Sequence, residues 1–303
     1  MGRIAEALRK AEQERTTTFA ASGAAASGVG LMDPPAEATG RSDEDVARHT
    51  TGGVAMTSDD QVRPAAFDHA TWVGRASASL VTLHGRDSML VEQYRALRTR
   101  LASQNPRARS RVLAITSSTS GEGKTVTTAN LGVVMAEVKH HRVLVLDADF
   151  RHTALARLFG MKAKPGLAEV LKGQALIEQI IQATPMSNLE LISAGDTSGI
   201  NPAELLNSKR AAAVFDDLRD RYSYVLVDTP PSSDVADAGV LGQLADGVVV
   251  IIRMGKTSQP VVKQMVQTLQ ASQVNLVGCV LTGAADSSSQ YNYYSDYASR
   301  PSD

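Results

Sequence analysis

The chain has 303 residues, of which 43% are hydrophobic and 21% charged, and this composition is enough for a full core and excludes a wholly disordered protein. Its formal net charge of −1 gives no general attraction for nucleic acid, and we expect no nucleic-acid partner. The apolar runs fall far short of the roughly 20 residues that span a bilayer, and the amino terminus lacks the order of a secretion signal, so we expect a cytoplasmic protein.

Two segments of different character precede the first part of the chain that is rich enough in apolar residues to form a core. Residues 1–15 have the spacing of a short amphipathic helix, which is either a docking element that folds on a partner or a frayed end, because so short a helix is marginal alone. Residues 16–78 are rich in Ala, Ser, Thr, Gly and Asp and predict a flexible linker.

A longer helix is predicted over residues 88–101. Its apolar residues recur at helical spacing: Leu90, Tyr94, Leu97 and Leu101. Glu92, Arg95 and Arg98 line an adjacent stripe. Taken alone, this stripe is a solvated helix face with ordinary ion pairs of a few tenths of a kcal/mol.

The most informative segment is a buried strand that runs into the loop SSTSGEGKT, at residues 117–125. Gly121 and Gly123 let the backbone curl so that its N–H groups point inward. Lys124 supplies a point charge for phosphate, and Thr125 supplies a hydroxyl for Mg²⁺. This pattern indicates a nucleotide phosphate site.

A helix predicted over residues 126–138 follows the loop, and the positive end of that helix would also face the phosphates. The strict P-loop pattern has glycine where this chain has Ser118, so the match departs at one position. The candidate nucleotide-binding residues are Thr119, Ser120, Gly121, Glu122, Gly123, Lys124, Thr125 and Val126.

Short apolar runs alternate with helical segments through the rest of the chain. This alternation predicts an α/β fold with a mostly parallel sheet flanked by helices on both faces. The one cysteine, Cys279, lies in such a run and is predicted to be a small core residue. The predicted strands are residues 111–116, 142–147, 189–193, 224–228, 246–253 and 274–281.

Carboxylates follow two of these strands, with Asp147 and Asp149 after one and Asp228 after another. Ligands of open α/β sheets bind at the carboxyl ends of the strands, so these side chains can meet the loop there. We expect Thr125, Asp149 and Asp228 to hold the metal, and we favour Asp147 as the base. Each aspartate could instead cap the helix that follows it.

The carboxyl terminus, residues 286–303, is predicted to be a flexible tail. Four of the seven tyrosines lie in the last 13 residues of the chain, in a polar context that cannot bury them. Exposed phenols are accessible to chemistry, although a stacking or adhesive tail is the plainer alternative. These candidate phosphoacceptors are Tyr291, Tyr293, Tyr294 and Tyr297.

Taken together, the segments SSTSGEGKT, LVLDADFR and YVLVDTPP and the tyrosine tail resemble the bacterial tyrosine kinases that control capsule and exopolysaccharide synthesis. The resemblance covers residues 79–303, with further agreement in EQYRALR, GLAEVLKG and NPAELL. It implies a P-loop kinase domain over residues 79–285, with ATP and Mg²⁺ as cofactors. It also implies catalytic roles for Lys124, Asp147, Asp149 and Asp228.

The same resemblance implies several partners. The stripe of Glu92, Arg95 and Arg98 would join protomers in a ring, whose neighbouring subunits phosphorylate each other's tail tyrosines. The chain is similar to the stand-alone type of kinase, which implies a separate membrane-spanning chain-length regulator that recruits it to the inner face of the membrane, and an opposing tyrosine phosphatase. Related ATPases often carry Asn near the adenine where this chain has Thr282.

Two other interpretations stay open. The partitioning ATPases of the Par and Min type share the fold and the aspartate positions but act as nucleotide-switched scaffolds. They carry an extra lysine where this chain has Thr119, and they lack a tyrosine tail. The third interpretation is an adaptor that binds ATP and presents its tyrosines to another kinase.

Overall fold

The computed structural model describes residues 28–32, 67–85, 88–232 and 235–284. The predicted helix at residues 1–15 and the tyrosine tail at 286–303 lie outside these ranges. Within the described residues the longest helix has 15 residues, and no helix there is both long and apolar enough to cross a bilayer.

An eight-stranded sheet in the order β1-β8-β7-β2-β6-β3-β5-β4 organises the domain. The six central strands are parallel, and only the edge strands β1 and β4 pair antiparallel. The predicted mostly parallel sheet is therefore confirmed. The strands are β1 (Gly28–Met32), β2 (Arg111–Ser117), β3 (Val143–Asp147), β4 (Gln182–Ala183), β5 (Leu189–Ile192), β6 (Tyr224–Asp228), β7 (Gly247–Arg253) and β8 (Leu276–Ala284).

Helices cover both faces of this sheet, as the sequence predicts. Strand β3 shows why: Val143 and Val145 pack with the helices of one face, while Leu144 and Leu146 pack with those of the other. The helices are α1 (His69–Arg75), α2 (Val81–His84), α3 (Met89–Ser103), α4 (Lys124–Ala136), α5 (Leu155–Leu158), α6 (Leu167–Leu171), α7 (Ile177–Ile180), α8 (Pro202–Leu206), α9 (Lys209–Arg221), α10 (Val235–Leu244) and α11 (Gln259–Ala271).

The packed domain begins earlier than the predicted boundary at residue 79, which is a correction to the predicted linker. Trp72 of α1 is fully buried, its Nε1 donates to the carbonyl of Phe159 at 2.9 Å, and the two rings stack at 6.2 Å. Strand β1 also lies inside the predicted linker and pairs with β8. A single tryptophan in a polar segment gives no periodic signal, which is why the sequence pattern missed this contact.

Two smaller predictions are confirmed. The helix predicted over residues 88–101 is present as α3, and Ser88 caps it, because its hydroxyl accepts a hydrogen bond from the amide of Val91 at 3.3 Å. Cys279 is 5% exposed and packs with the apolar residues between β7 and α11. Its thiol therefore serves as a small core side chain.

Candidate functional site

The phosphate loop lies between the end of β2 and the start of α4. Gly121 and Gly123 have φ angles of +75° and +100°, which side chains with a Cβ rarely adopt. Helix α4 begins directly after Gly123 and runs for 13 residues, so its unpaired amide groups face the loop. The backbone conformation required of a phosphate-binding loop is thus present.

The order of the strands brings the predicted carboxylates to this loop. Strand β6 lies between β2 and β3, and the register pairs Asp228 with both Ile115 and Asp147. All three strands are parallel, so their carboxyl ends meet at one edge of the sheet. Asp147, Asp149 and Asp228 are each 2% exposed or less, so they form a buried acidic cluster beside the loop.

Backbone amides hold the first of these carboxylates. The Oδ1 atom of Asp147 accepts from the amide of Asp149 at 3.2 Å, and its Oδ2 accepts from the amides of Ala154 and Leu155 at 3.1 and 3.2 Å. Asp147 therefore does bind the amino end of α5, the alternative role that its position suggests. These three amides use three of the four lone pairs of the carboxylate, and the fourth, on Oδ1, remains able to accept a proton.

The second carboxylate faces the loop lysine. Lys124 is 6% exposed, and its Nζ lies 4.0 Å from Oδ2 of Asp149. The other oxygen, Oδ1, accepts from the amides of Arg151 and His152 at 3.2 and 3.0 Å. This arrangement fixes Asp149 while one of its oxygens points toward the cation.

Neither oxygen of the third carboxylate, Asp228, accepts a hydrogen bond of normal geometry among the described residues, although the hydroxyl of Thr125 acts to lower its pKa. Burial raises its pKa well above the usual range, and the charge of Asp147 adds to this rise while Lys124 opposes it. The pKa of Asp147 is raised as well, chiefly by burial. A buried carboxylate without such hydrogen bonds indicates a ligand that is to be supplied from outside the chain.

The donor set fits magnesium. Mg²⁺ prefers oxygen ligands and keeps several waters, so one hydroxyl and two carboxylates from Thr125, Asp149 and Asp228 are sufficient. The described residues contain no group of three or more His, Cys, Asp or Glu side chains arranged as a metal cage. Mg²⁺ that also binds nucleotide phosphates needs only one or two protein carboxylates, so Thr125, Asp149 and Asp228 could hold it without such a cage.

The side chain of Glu122, one of the predicted nucleotide-binding residues, points into the protein. Glu122 is fully buried, and its carboxylate accepts from the hydroxyls of Thr119 and Thr257. Thr282, at the position near the adenine in related ATPases, donates its hydroxyl to the carbonyl of Glu122 at 2.7 Å. Only the backbone of Glu122 is left to face a phosphate. The pattern of the loop alone gives no signal for Thr257, which is more than a hundred residues away.

The stripe on α3 is also organised by a residue that the sequence analysis did not select. Glu137 accepts from Arg95 at 2.8 and 3.0 Å and from Arg98 at 2.8 Å. Arg95 also pairs with Glu92, whose side chain remains 60% exposed. The three predicted residues are thus neighbours on one surface, held by a carboxylate that follows α4.

Comparisons with known proteins agree with this geometry. Residues 110–277 match the family described as "AAA domain". The chain is 34% identical to the tyrosine-protein kinase YwqD of Bacillus subtilis over 73% of its own length and 92% of that protein. It is also 34% identical to the putative tyrosine-protein kinase EpsB of Ralstonia solanacearum over 70% of its length, but spans only 28% of that longer protein. The solved kinase domain of the Escherichia coli tyrosine kinase ETK superposes with a TM-score of 0.65 at 31% identity, over 69% of this chain and 81% of that one. The chain belongs to the bacterial tyrosine-protein kinases.

Proposed function

We propose that the chain is an ATP-dependent protein-tyrosine autokinase that phosphorylates the tyrosine cluster of its own tail. The observation that carries the proposal is the convergence of Lys124 with three buried carboxylates at the carboxyl edge of the sheet. That arrangement supplies a cation for the phosphates, oxygen ligands for a metal and a base, which are the parts that phosphoryl transfer requires.

In the proposed reaction, a tail phenol oxygen forms a bond to the γ-phosphorus of ATP while the bond between that phosphorus and the bridging oxygen of ADP breaks. Lys124 and the loop amides bind the β- and γ-phosphates and stabilise the charge that develops on them. Asp147 accepts the phenol proton, and its carboxylate is held in a fixed position by the amides at the start of α5. Thr125, Asp149 and Asp228 would hold Mg²⁺, which neutralises charge on the phosphates.

The proposal is tested by mass spectrometry of the purified protein after incubation with ATP and Mg²⁺. We expect phosphate on Tyr291, Tyr293, Tyr294 or Tyr297, and none when ATP is omitted. ATP hydrolysis without tyrosine phosphate under any condition would contradict the kinase proposal and favour a nucleotide-switched scaffold. Mixing a protein whose four tail tyrosines are phenylalanine with an inactive, intact-tail protein tests transfer in trans.

The assignment of the base predicts the effect of one isosteric substitution. We expect Asp147→Asn to lower the initial rate of tail phosphorylation by about 100-fold or more, because general-base catalysis typically contributes that factor. The amide oxygen of Asn can still accept from the amides of α5, so the fold should be kept. The affinity for ATP, measured by calorimetry, should change much less than the rate. Full retention of the rate would show that Asp147 is not the base.

We further propose that Glu92, Arg95 and Arg98 join protomers into a ring, in which one subunit presents its tail to the next. The exposure of Glu92 and the clustering of both arginines on the same surface support this assignment.

A separate membrane-spanning regulator would activate the ring and recruit it to the membrane, and a tyrosine phosphatase would reverse the reaction. The kinase would in this way regulate the polymerisation and export of capsule or exopolysaccharide. Phosphates added to the tails, each of about −1.5 to −2 charges, would repel one another and loosen the ring.

The ring proposal predicts a change in oligomeric state. We expect the double substitution Arg95→Ala with Arg98→Ala to shift the protein toward a monomer in size-exclusion chromatography with light scattering at matched concentrations. The control is Arg221→Ala, which removes a similar surface arginine that pairs with Glu178 and Asp217. Identical masses for the double variant, the control and the wild type, at a concentration where the wild type is oligomeric, would refute the interface.

A further inference from the structure

The last residue of β7 and the turn that follows it, residues 253–257, contact the phosphate loop. Arg253 donates from Nη1 to the carbonyl of Gly121 at 3.1 Å, and Lys256 donates from Nζ to the carbonyl of Ser120. A Cβ added to Gly121 would lie only 2.8 Å from Nζ of Lys256, so the contact is close. Two adjacent carbonyls of the loop are thus fixed from a distant part of the chain.

The third contact of this turn reaches a buried carboxylate. The Oε2 atom of Glu122 accepts from the amide of Ser118 at 2.9 Å, while Oε1 accepts from the hydroxyls of Thr119 at 3.1 Å and of Thr257. Within the described part of the chain no lysine or arginine forms an ion pair with Glu122. Since a buried carboxylate is costly unless it is hydrogen-bonded, these three donors are what keeps it in place.

The position of Glu122 in the loop connects these contacts to the binding of phosphate. It lies between Gly121 and Gly123, whose left-handed backbone sets the directions of the loop amides. Its own carbonyl is held by Thr282 of β8. With its side chain and its carbonyl both fixed, the peptide groups on either side of Glu122 have little freedom to rotate. Donors that are already oriented bind charge better than donors that must reorganise.

We propose that Thr257 is a positioning residue for the nucleotide, acting through Glu122 to hold the loop amides in the phosphate-binding direction. The turn at residues 253–257 then supports the phosphate loop through the loop carbonyls and through Glu122. This proposal rests on the nucleotide-binding part of the proposed function and does not require that a phosphoryl group be transferred.

The test compares Thr257→Val with Thr257→Ser in the full chain. Valine keeps the shape of threonine but cannot donate a hydrogen bond, so the buried carboxylate of Glu122 loses one of its three donors. We expect the Kd for ATP with Mg²⁺, measured by calorimetry, to rise about tenfold for Thr257→Val, as the loss of one charge-assisted hydrogen bond implies. Thr257→Ser keeps the hydroxyl and should bind within about twofold of the wild type on the same reasoning.

A matched control is available in the helix that follows. Thr268 of α11 donates its hydroxyl to the carbonyl of Gln264, one turn earlier in the same helix, so Thr268→Val should leave the Kd unchanged. In the phosphorylation assay Thr257→Val should raise the KM for ATP more than it lowers kcat, a separation that general destabilisation of the fold would not produce.

Each outcome decides one question. An unchanged Kd for Thr257→Val, with or without a lower Tm, would overturn the proposal, because the hydroxyl would then be structural only. Failure of serine to restore the affinity would also overturn it. If Thr257→Val weakens ATP binding but the wild type never forms phosphotyrosine, the positioning role stands and the kinase reaction fails. If the wild type binds no ATP, both are wrong.

Discussion

Replacing Lys124 with methionine should lower the rate of tail tyrosine phosphorylation by at least about 100-fold, the factor that loss of a single preorganised charge-stabilising group typically costs. The Nζ atom lies in a buried position, 4.0 Å from Asp149, where water screens its charge poorly. Methionine fills a similar volume without the charge. The loss should therefore be electrostatic and fall on the β- and γ-phosphates, because their charge is redistributed toward the leaving ADP oxygen as the bond to the γ-phosphorus breaks.

The comparison requires a second lysine whose loss is harmless. Lys263 on α11 is exposed, and Lys263→Met should phosphorylate its tail at the wild-type rate. Phosphate on each tail tyrosine would be counted by mass spectrometry at several early times, and the Tm of each variant would confirm folding. Tail phosphorylation of purified Lys124→Met at the wild-type rate would show that the loop does not perform the reaction. A contaminating kinase would be recognised because it would also phosphorylate the tail of the Asp147→Asn protein.

Local patterns predicted the position of the loop and of the strand ends that lie beside it. The loop residues 119–126, the ends of β3 and β6 and the parallel order of the sheet follow from glycine positions, apolar runs and the rule that ligands bind at the carboxyl ends of strands. The boundaries of the central strands agree to within a few residues; β6, for example, is Tyr224–Asp228 as predicted. These features depend on contiguous sequence, so the sequence carries them directly.

Contacts between distant segments were not predictable in the same way. Thr257 and Glu122 are 135 positions apart, and Glu137 is 42 positions from Arg95. The local sequence around each of these residues predicts only an ordinary solvated side chain. The partners come together only when the chain folds. The fold also disfavours the adaptor interpretation, because it brings every residue proposed for catalysis close together.

The linker prediction failed where a packed segment has almost no apolar pattern of its own. Helix α1 contributes one large buried side chain, Trp72. Two hydrogen bonds of 2.9 Å connect this segment to the end of α5: Trp72 donates to the carbonyl of Phe159, and the amide of Ser77, just after α1, donates to the carbonyl of Leu158. Gly160, with φ of +63°, leaves room for this approach, since a Cβ there would lie 2.8 Å from the backbone of Arg75. The segment assigned to the linker thus packs against α5, whose first residues hold the carboxylate of Asp147.

We therefore expect Trp72→Ala to lower the free energy of unfolding by about 3–5 kcal/mol, the cost typical of removing a large buried aromatic side chain. For a domain of this size the Tm should fall by roughly 10 °C, which calorimetry or circular dichroism would measure. Trp72→Phe keeps an aromatic ring against Phe159, but the carbonyl of Phe159 loses the indole donor. The free energy of unfolding should therefore fall less, by about 1–3 kcal/mol. A Tm for Trp72→Ala equal to that of the wild type would place α1 outside the cooperative unit. A large fall together with slower tail phosphorylation at a temperature where the variant is folded would show that the packing of α1 on α5 reaches Asp147.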